Sequence, residues 1–304
     1  MTFATKVKSE ISHNKGLIAR NKKAFSYGML LCGKSFSAQN ISMTTENKYI
    51  AKLYAKLIFQ QIPMQTSVTT REYNGNFQQT TYAVSVDDEE DRKTILAFFG
   101  HDAQGDKVCN AELLEDSEHC YAFLAGAFLS CSNISDPQKD YHLEFVLAGE
   151  QTAQLMMRLL NELQLNFKLS VRRGQQVVYC KDSKSIEELL TMVGATGAMM
   201  DVVNVKIYKD MRNKVNRVTN CETSNIEKTV SAATAQAADI RYLMKSGQFE
   251  TLEVPLKETA KARLKHPDMS LRELGELLGV SRSGINHRLQ KISQIAKQAR
   301  EQAE

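Results

Sequence analysis

The sequence predicts an α+β fold in two parts: a duplicated helix-and-strand domain, followed by a small all-α domain. Three observations carry this. A segment of about 100 residues occurs twice. Each copy switches between helical and strand-like periodicity. The C-terminal stretch then holds three helical patterns, separated by Pro267, Gly279 and two serines placed as helix caps.

The clearest repeat is Ala24-Phe-Ser-Tyr-Gly-Met-Leu-Leu31 against Ala122-Phe-Leu-Ala-Gly-Ala-Phe-Leu129. Ala, Phe, Gly and the last Leu recur at a constant offset of 98. Residues 49–62 and 151–163 follow with apolar positions at helical spacing, Leu53, Leu57 and Ile58 against Leu155, Leu159 and Leu160. Strand-like runs come next. Tyr82, Val84 and Val86 alternate after Asn74-Gly75, a hairpin signal; Phe167, Leu169 and Val171 alternate before Gly174, and residues 177–180 continue. Residues 142–147 form another strand, with Leu143, Phe145 and Leu147 on one face. Each copy closes with a helix ending at a glycine, Gly100 or Gly194. The unit reads helix, strand, helix, two strands, helix, with copies at about 24–100 and 122–194. Gly28 and Gly126 let the two first helices approach closely.

Composition excludes several classes. The 304 residues are 42% hydrophobic and 24% charged, as in an ordinary globular protein long enough to bury a core without disulfides. No run approaches the length of a membrane span, and the first thirty residues hold no apolar segment with a cleavage site, so the expected compartment is a reducing cytoplasm. Cys32, Cys109, Cys120, Cys131, Cys180 and Cys221 form no Cys-x-x-Cys pair and meet no His cluster, which argues against zinc. Net charge is only +4 but unevenly spread. Residues 1–23 carry six bases and one acid, 87–118 are strongly acidic, and 281–300 carry five bases and no acid. An acid-free basic helix suits a polyanion.

The two glycine-containing segments resemble the helices of the LAGLIDADG homing-endonuclease fold. In that family each helix ends in an acid that binds the divalent metals used to cleave DNA. The copies here are residues 26–34 and 124–132. The metal-binding acid falls on Gly33 and Cys131, and the motif's earlier Asp on Leu31 and Leu129. No carboxylate remains, and Asp136, just beyond the second copy, has no counterpart in the first. Metal-assisted hydrolysis needs those carboxylates. The expectation is a scaffold without catalytic residue, metal or cofactor.

From Leu256 the chain reads as a helix-turn-helix. A first helix stops before Pro267. Ser270 caps a second, residues 271–278, and Glu273 completes a capping box. Gly279 makes the turn, Val280 plugs the core, and Ser281 caps the third helix. Leu274, Leu277 and Leu278 give the second helix its apolar face, and Gly275 allows close crossing. Ile285, Leu289 and Ile292 turn inward. Arg282, Ser283, Asn286, His287 and Lys291 occupy the opposite face, where Arg and Asn suit base edges. Arg288 and Lys297 suit phosphates. Gly284 weakens the helix interior and is read as allowing close approach to DNA. The expected DNA-binding set is thus Ser281, Arg282, Ser283, Asn286, His287, Arg288, Lys291 and Lys297. The expected division is a scaffold domain over 1–205, a basic, helical linker over 206–250 with a hinge at Ser246-Gly247, and the helix-turn-helix domain over 251–304.

Both parts together resemble the WhiA family of bacterial regulators, most closely at Asn216-Arg-Val-Thr-Asn-Cys-Glu222 with Asn225-Ile226, at Asp239-Ile-Arg-Tyr-Leu243, at Ser283-Gly-Ile-Asn-His-Arg-Leu289 and over residues 3–12. The resemblance spans essentially the whole chain. It implies a non-catalytic transcriptional regulator of double-stranded DNA, located in the cytoplasm at the nucleoid, involved in cell division and chromosome segregation, and in sporulation in some members. Another transcription factor or RNA polymerase are the candidate protein partners, and no membrane is expected. Two other readings stay open: a scaffold acting on division through protein partners, and a metal-dependent endonuclease.

Overall fold

The computed structural model describes residues 2–66, 68–74, 80–102, 110 and 112–302. The chain divides into two compact units, Met1–Lys209 and Asp210–Glu304.

The first unit opens with α1 (Phe3–His13) and α2 (Lys15–Arg20). The first repeat then runs α3 (Lys22–Leu31), β1 (Ser35–Phe36), β2 (Ile41–Thr45), α4 (Lys48–Gln61), β3 (Thr69–Asn74), β4 (Thr80–Val86) and α5 (Glu89–Phe98). The second runs α6 (Ser117–Cys131), β5 (Ser132–Ile134), β6 (Leu143–Leu147), α7 (Glu150–Glu162), β7 (Lys168–Arg172), β8 (Gln175–Cys180) and α8 (Ser183–Met192). Each repeat builds an antiparallel four-stranded sheet, ordered β1-β2-β4-β3 in one and β5-β6-β8-β7 in the other. This identity of order establishes the duplication more firmly than any local sequence match.

The repeat holds one strand more than its periodicity predicts. β1 and β5 span only two and three residues, too short to show an alternating pattern. The Asn74-Gly75 turn falls outside the described residues, as does Cys109, but the strands it would join pair from Asn74 with Thr80 to Thr69 with Ser85. Leu169 and Val171 lie in the expected strand yet are 41% and 63% exposed, like most of β7, the edge strand of its sheet. Gly100 and Gly194 both adopt the left-handed backbone that ends a helix, with φ of 77° and 79°.

Ile41 and Met43 of β2, Val84 and Val86 of β4, and Leu143, Phe145 and Leu147 of β6 face one shared core with the helices. At its centre lie α3 and α6. Every residue of α3 from Ala24 onward is buried, and so is most of α6. A helix apolar on all sides has no solvent face and goes to the middle. The two cross at Gly28 and Gly126. A Cβ on Gly28 would stand 2.0 Å from the Phe123 carbonyl oxygen, and one on Gly126 2.0 Å from that of Phe25. The contact is backbone on backbone, with no side chain able to yield.

α9 (Thr196–Lys245) carries the chain from the first unit into the second. The basic run 206–217, expected in a linker, is therefore helical. In the second unit a single 3-10 turn (Gln248–Thr251) leads to α10 (Val254–Lys265), α11 (Leu271–Leu278) and α12 (Arg282–Glu301). Their core combines Leu256, Leu274, Ile285, Leu289 and Ile292 with Ile240 and Leu243 of α9 and with Phe249 and Leu252. The small domain thus takes in residues that the sequence assigns to the linker. Ser246-Gly247 is a corner inside it rather than a hinge, because buried side chains from both sides of Gly247 share one core. Among the described residues, no helix is long and apolar enough to cross a membrane.

Replacing Gly28 with Ala should destabilise the first unit by about 3 kcal/mol, the upper range for forced overpacking, because backbone must move. Gly174→Ala should cost only about 1 kcal/mol for its left-handed φ, since nothing lies within 4 Å of the added carbon. Urea unfolding of the two variants checks the order; equal midpoints would show that the crossing is looser than 2.0 Å implies.

Candidate nucleic-acid interface

The helix-turn-helix is built by local signals that do not conflict. α10 stops at His266, before Pro267. The loop that follows is held from beneath by Arg263, only 1% exposed, whose Nη1 donates to the Met269 carbonyl at 2.6 Å. Ser270 caps α11 by accepting from the Glu273 amide at 3.3 Å, while its own amide donates to Glu273 Oε2 at 2.7 Å. Gly279 then turns the chain with φ 63°, and the Val280 amide donates to the Gly275 carbonyl. A Cβ on Gly275 would stand 2.4 Å from the Val280 carbonyl oxygen, so the tight turn requires the glycine.

On α11, Leu274 is fully buried and Leu278 packs against the core, but Leu277 is 52% exposed. Ile285, Leu289 and Ile292 of α12 face inward as expected. Gly284 serves a purpose the sequence does not reveal: a Cβ there would meet Val280 Cγ1 at 2.6 Å, so its smallness seats the turn against the helix.

The eight sequence-predicted residues separate into four groups. Ser281 is the cap of α12; its hydroxyl accepts from the Gly284 amide and lies 3.1 Å from that of Ser283. Arg282, Ser283 and His287 are exposed on the first two turns, with half-buried Asn286 beside Arg282. Arg288 and Lys291 turn instead towards the start of α10. Arg288 lies 3.5 Å from the Pro255 carbonyl and 3.4 Å from the Thr259 hydroxyl, and Lys291 pairs with Glu253 at 3.0 Å. Lys297 is exposed near Glu301, about 15 Å along the helix from His287 at 1.5 Å per residue.

Two residues absent from the expected set share the outward face: Gln290 and Gln294, both exposed. They follow His287 by three and seven residues, and their amides have the chemistry to read adenine. Helical spacing from His287 was the available signal.

The second candidate centre is the end of the paired helices in the first unit. Leu31 and Leu129 are buried. Gly33 offers no ligand atom, and the Cys131 thiol donates to the Ala127 carbonyl at 3.3 Å. Asp136 accepts from the Gln138 amide as a turn residue. The C-terminal end of α6 opens on a cavity of about 700 Å³ lined by Lys8, Glu46, Ser130 and Ser132. Burial pulls the Lys8 ammonium below its ordinary value, against the opposing pull of Cys131 and Glu46. Lys8 thus shares this cavity with Glu46 and lies close enough to Cys131 to feel its charge. Among the described residues no group of three or more His, Cys, Asp or Glu side chains comes together.

Known proteins agree with this geometry. A family model described as the WhiA C-terminal HTH domain matches residues 215–296, and one described as the WhiA LAGLIDADG-like domain matches 120–212. A probable cell division protein WhiA from Clostridium botulinum (strain Hall) is 35% identical, over 97% of this chain and 98% of the relative. One from Clostridium perfringens (strain SM101) is 35% identical, over 99% of each. The crystal structure of full-length DUF199/WhiA from Thermatoga maritima matches with a TM-score of 0.58 at 20% identity, covering 98% of this chain and 99% of that one.

The Glu273 carboxyl is held below the usual glutamate range, first by the Ser270 amide and then by its hydroxyl. A depressed folded value stabilises above the ordinary 4.5 and is lost as pH falls through it and below. Calorimetry should therefore show Glu273→Gln unfolding at lower temperature than the parent at pH 7, with the gap closing by pH 3. A gap that persists at pH 3 would mean that the carboxylate charge plays no part in the cap.

Proposed function

We propose a function for a chain that belongs to the WhiA family: it binds double-stranded DNA sequence-specifically through α12 and regulates transcription, without cutting the DNA. One observation carries the reading. Arg282, Ser283, Asn286 and His287 lie together on the first two turns of a capped second helix of a helix-turn-helix, where such motifs meet base edges. The basic residues 281–300 supply attraction without opposing acids in the same segment. The relatives' name, probable cell division protein, supports a role in division, and a role in chromosome segregation extends it. We place the protein at the nucleoid, with RNA polymerase or another transcription factor as its protein partner.

The proposal divides the contacts by position along α12. Arg282, at the tip of α12, and Asn286, one turn on, would read bases together with His287. Lys297, farther along, would touch a phosphate. Arg288 and Lys291, engaged by α10 and by Glu253, would act on DNA only if they leave those partners.

Duplexes selected from a random pool provide the test, followed by single-base variants at two salt concentrations. Arg282→Ala should cost about 1 to 3 kcal/mol on the selected site and relax preference at one base pair. Lys297→Ala should weaken all duplexes alike and lower the salt slope by about one. A uniform loss for Arg282→Ala would make it a phosphate contact. A wild-type chain with no sequence preference would favour a scaffold acting through proteins.

The non-catalytic half of the proposal rests on Gly33 and Cys131 at the positions where the resemblance expects metal-binding acids, with Lys8 near Cys131. Supercoiled plasmid incubated with the chain and magnesium or manganese should stay intact. Cleavage that copurifies with the chain would overturn it.

A further inference from the structure

The core of the second unit takes in Ile240 and Leu243 from the C-terminal part of α9 together with the apolar face of α12. Tyr242 on α9 donates to the Ala299 carbonyl, and Asp239 pairs with Arg300 at 2.8 Å. Farther towards the start of α12 the same packing leaves a groove of about 390 Å³. Its walls include Lys228 and Gln236 from α9, Ser270 and Arg272 at the start of α11, and Arg282 and Asn286 of α12, with Arg263 also lining it. No carboxylate lines the groove. Arg272 is held by Glu276 at 3.1 Å, and that ion pair is largely exposed, so it offers little resistance to a competing anion. The groove also holds two buried polar atoms without a hydrogen-bond partner among the described residues, Arg263 Nε and Gln236 Oε1. Three cationic side chains, Lys228, Arg272 and Arg282, line it from three helices, next to the start of α12.

We propose that this groove is a phosphate site for the DNA backbone, with Lys228 of α9 and Arg272 of α11 as its clamps, so that the long helix forms part of the DNA-binding surface. This rests on the DNA-binding function proposed above. The positions fit the division of labour in such interfaces: phosphate contacts position the duplex, and base contacts select its sequence. A phosphate seated between Lys228 and Arg272 would set the register at which Arg282 and Asn286 enter the major groove. The capping box engages the Ser270 and Glu273 amides, and the attraction proposed here comes from the side chains.

The experiment uses the full chain, with anisotropy titrations of a selected duplex and a random duplex from 0.05 to about 0.3 M KCl. Lys228→Ala and Arg272→Ala should each lower the salt slope by about one and weaken both duplexes alike, about fivefold near 0.15 M salt. Lys228→Arg should keep the slope, and Lys245→Ala, at the far end of α9, should leave it unchanged. Circular dichroism melts establish that the variants fold. If the wild-type chain binds DNA but slope and affinity survive both alanine substitutions, the groove is no backbone site and the DNA-binding function stands. If the wild-type chain binds no DNA, both fall. Inorganic phosphate replacing chloride at constant ionic strength separates the remaining source. Thermal stabilisation by phosphate that Lys228→Ala abolishes, with the DNA slope unmoved, would assign the groove to a free anion and overturn the proposal.

Discussion

The backbone crossing of α3 and α6 governs the first unit. With a Cβ at Gly28 or Gly126 the helices would stand farther apart, and the distance at which Phe123 and Phe25 carbonyls now lie would be lost. Close approach brings two equivalent repeats around one axis, and each then lays its four-stranded sheet into a core common to both. The symmetry has an energetic consequence as well. Because α3 and α6 are buried on nearly every side, neither repeat can cover its own first helix, and each needs the other to do so.

That dependence separates what holds the fold from what a catalytic centre would require. Packing asks for small residues at the crossing and apolar ones around it, and is indifferent to what stands at the helix ends. Metal-assisted hydrolysis asks for carboxylates at those ends. Here the ends carry Gly33 and a thiol occupied by its own helix, with a lysine in the adjoining cavity. A cation at that place is electrostatically opposed to a divalent metal. The two demands fall on different atoms, so meeting the first does not require the second.

In the second unit, α9 completes a core that three short helices would leave open. Ile240 and Leu243 are fully buried there, beside Leu274 and Ile285. The long helix therefore contributes more than a connection: its packing decides which face of α12 is free. Ser283, His287, Gln290 and Gln294 look outward, Asn286 is half covered, and Lys291 is drawn to Glu253.

Much of this was legible in the sequence because it depends on short-range physics. Helical periods, the Ser270–Glu273 box, the helix stop at Pro267 and the glycine turn at Gly279 each involve residues only a few positions apart. The duplication was legible because the same Ala-Phe-x-x-Gly pattern stands twice at a fixed offset. The replacement of the motif's acids by Leu31, Gly33, Leu129 and Cys131 could be read once the two copies were aligned. The tertiary structure alone decided that residues 240–252 belong to the small domain, that Leu169, Val171 and Leu277 face outward, that Gly284 serves the turn, and that Lys228 stands near Arg282. Each of these depends on which surfaces meet across long stretches of chain. A period tells which residues share a face, but not which neighbour covers that face, and the contacts that settle it join residues dozens of positions apart.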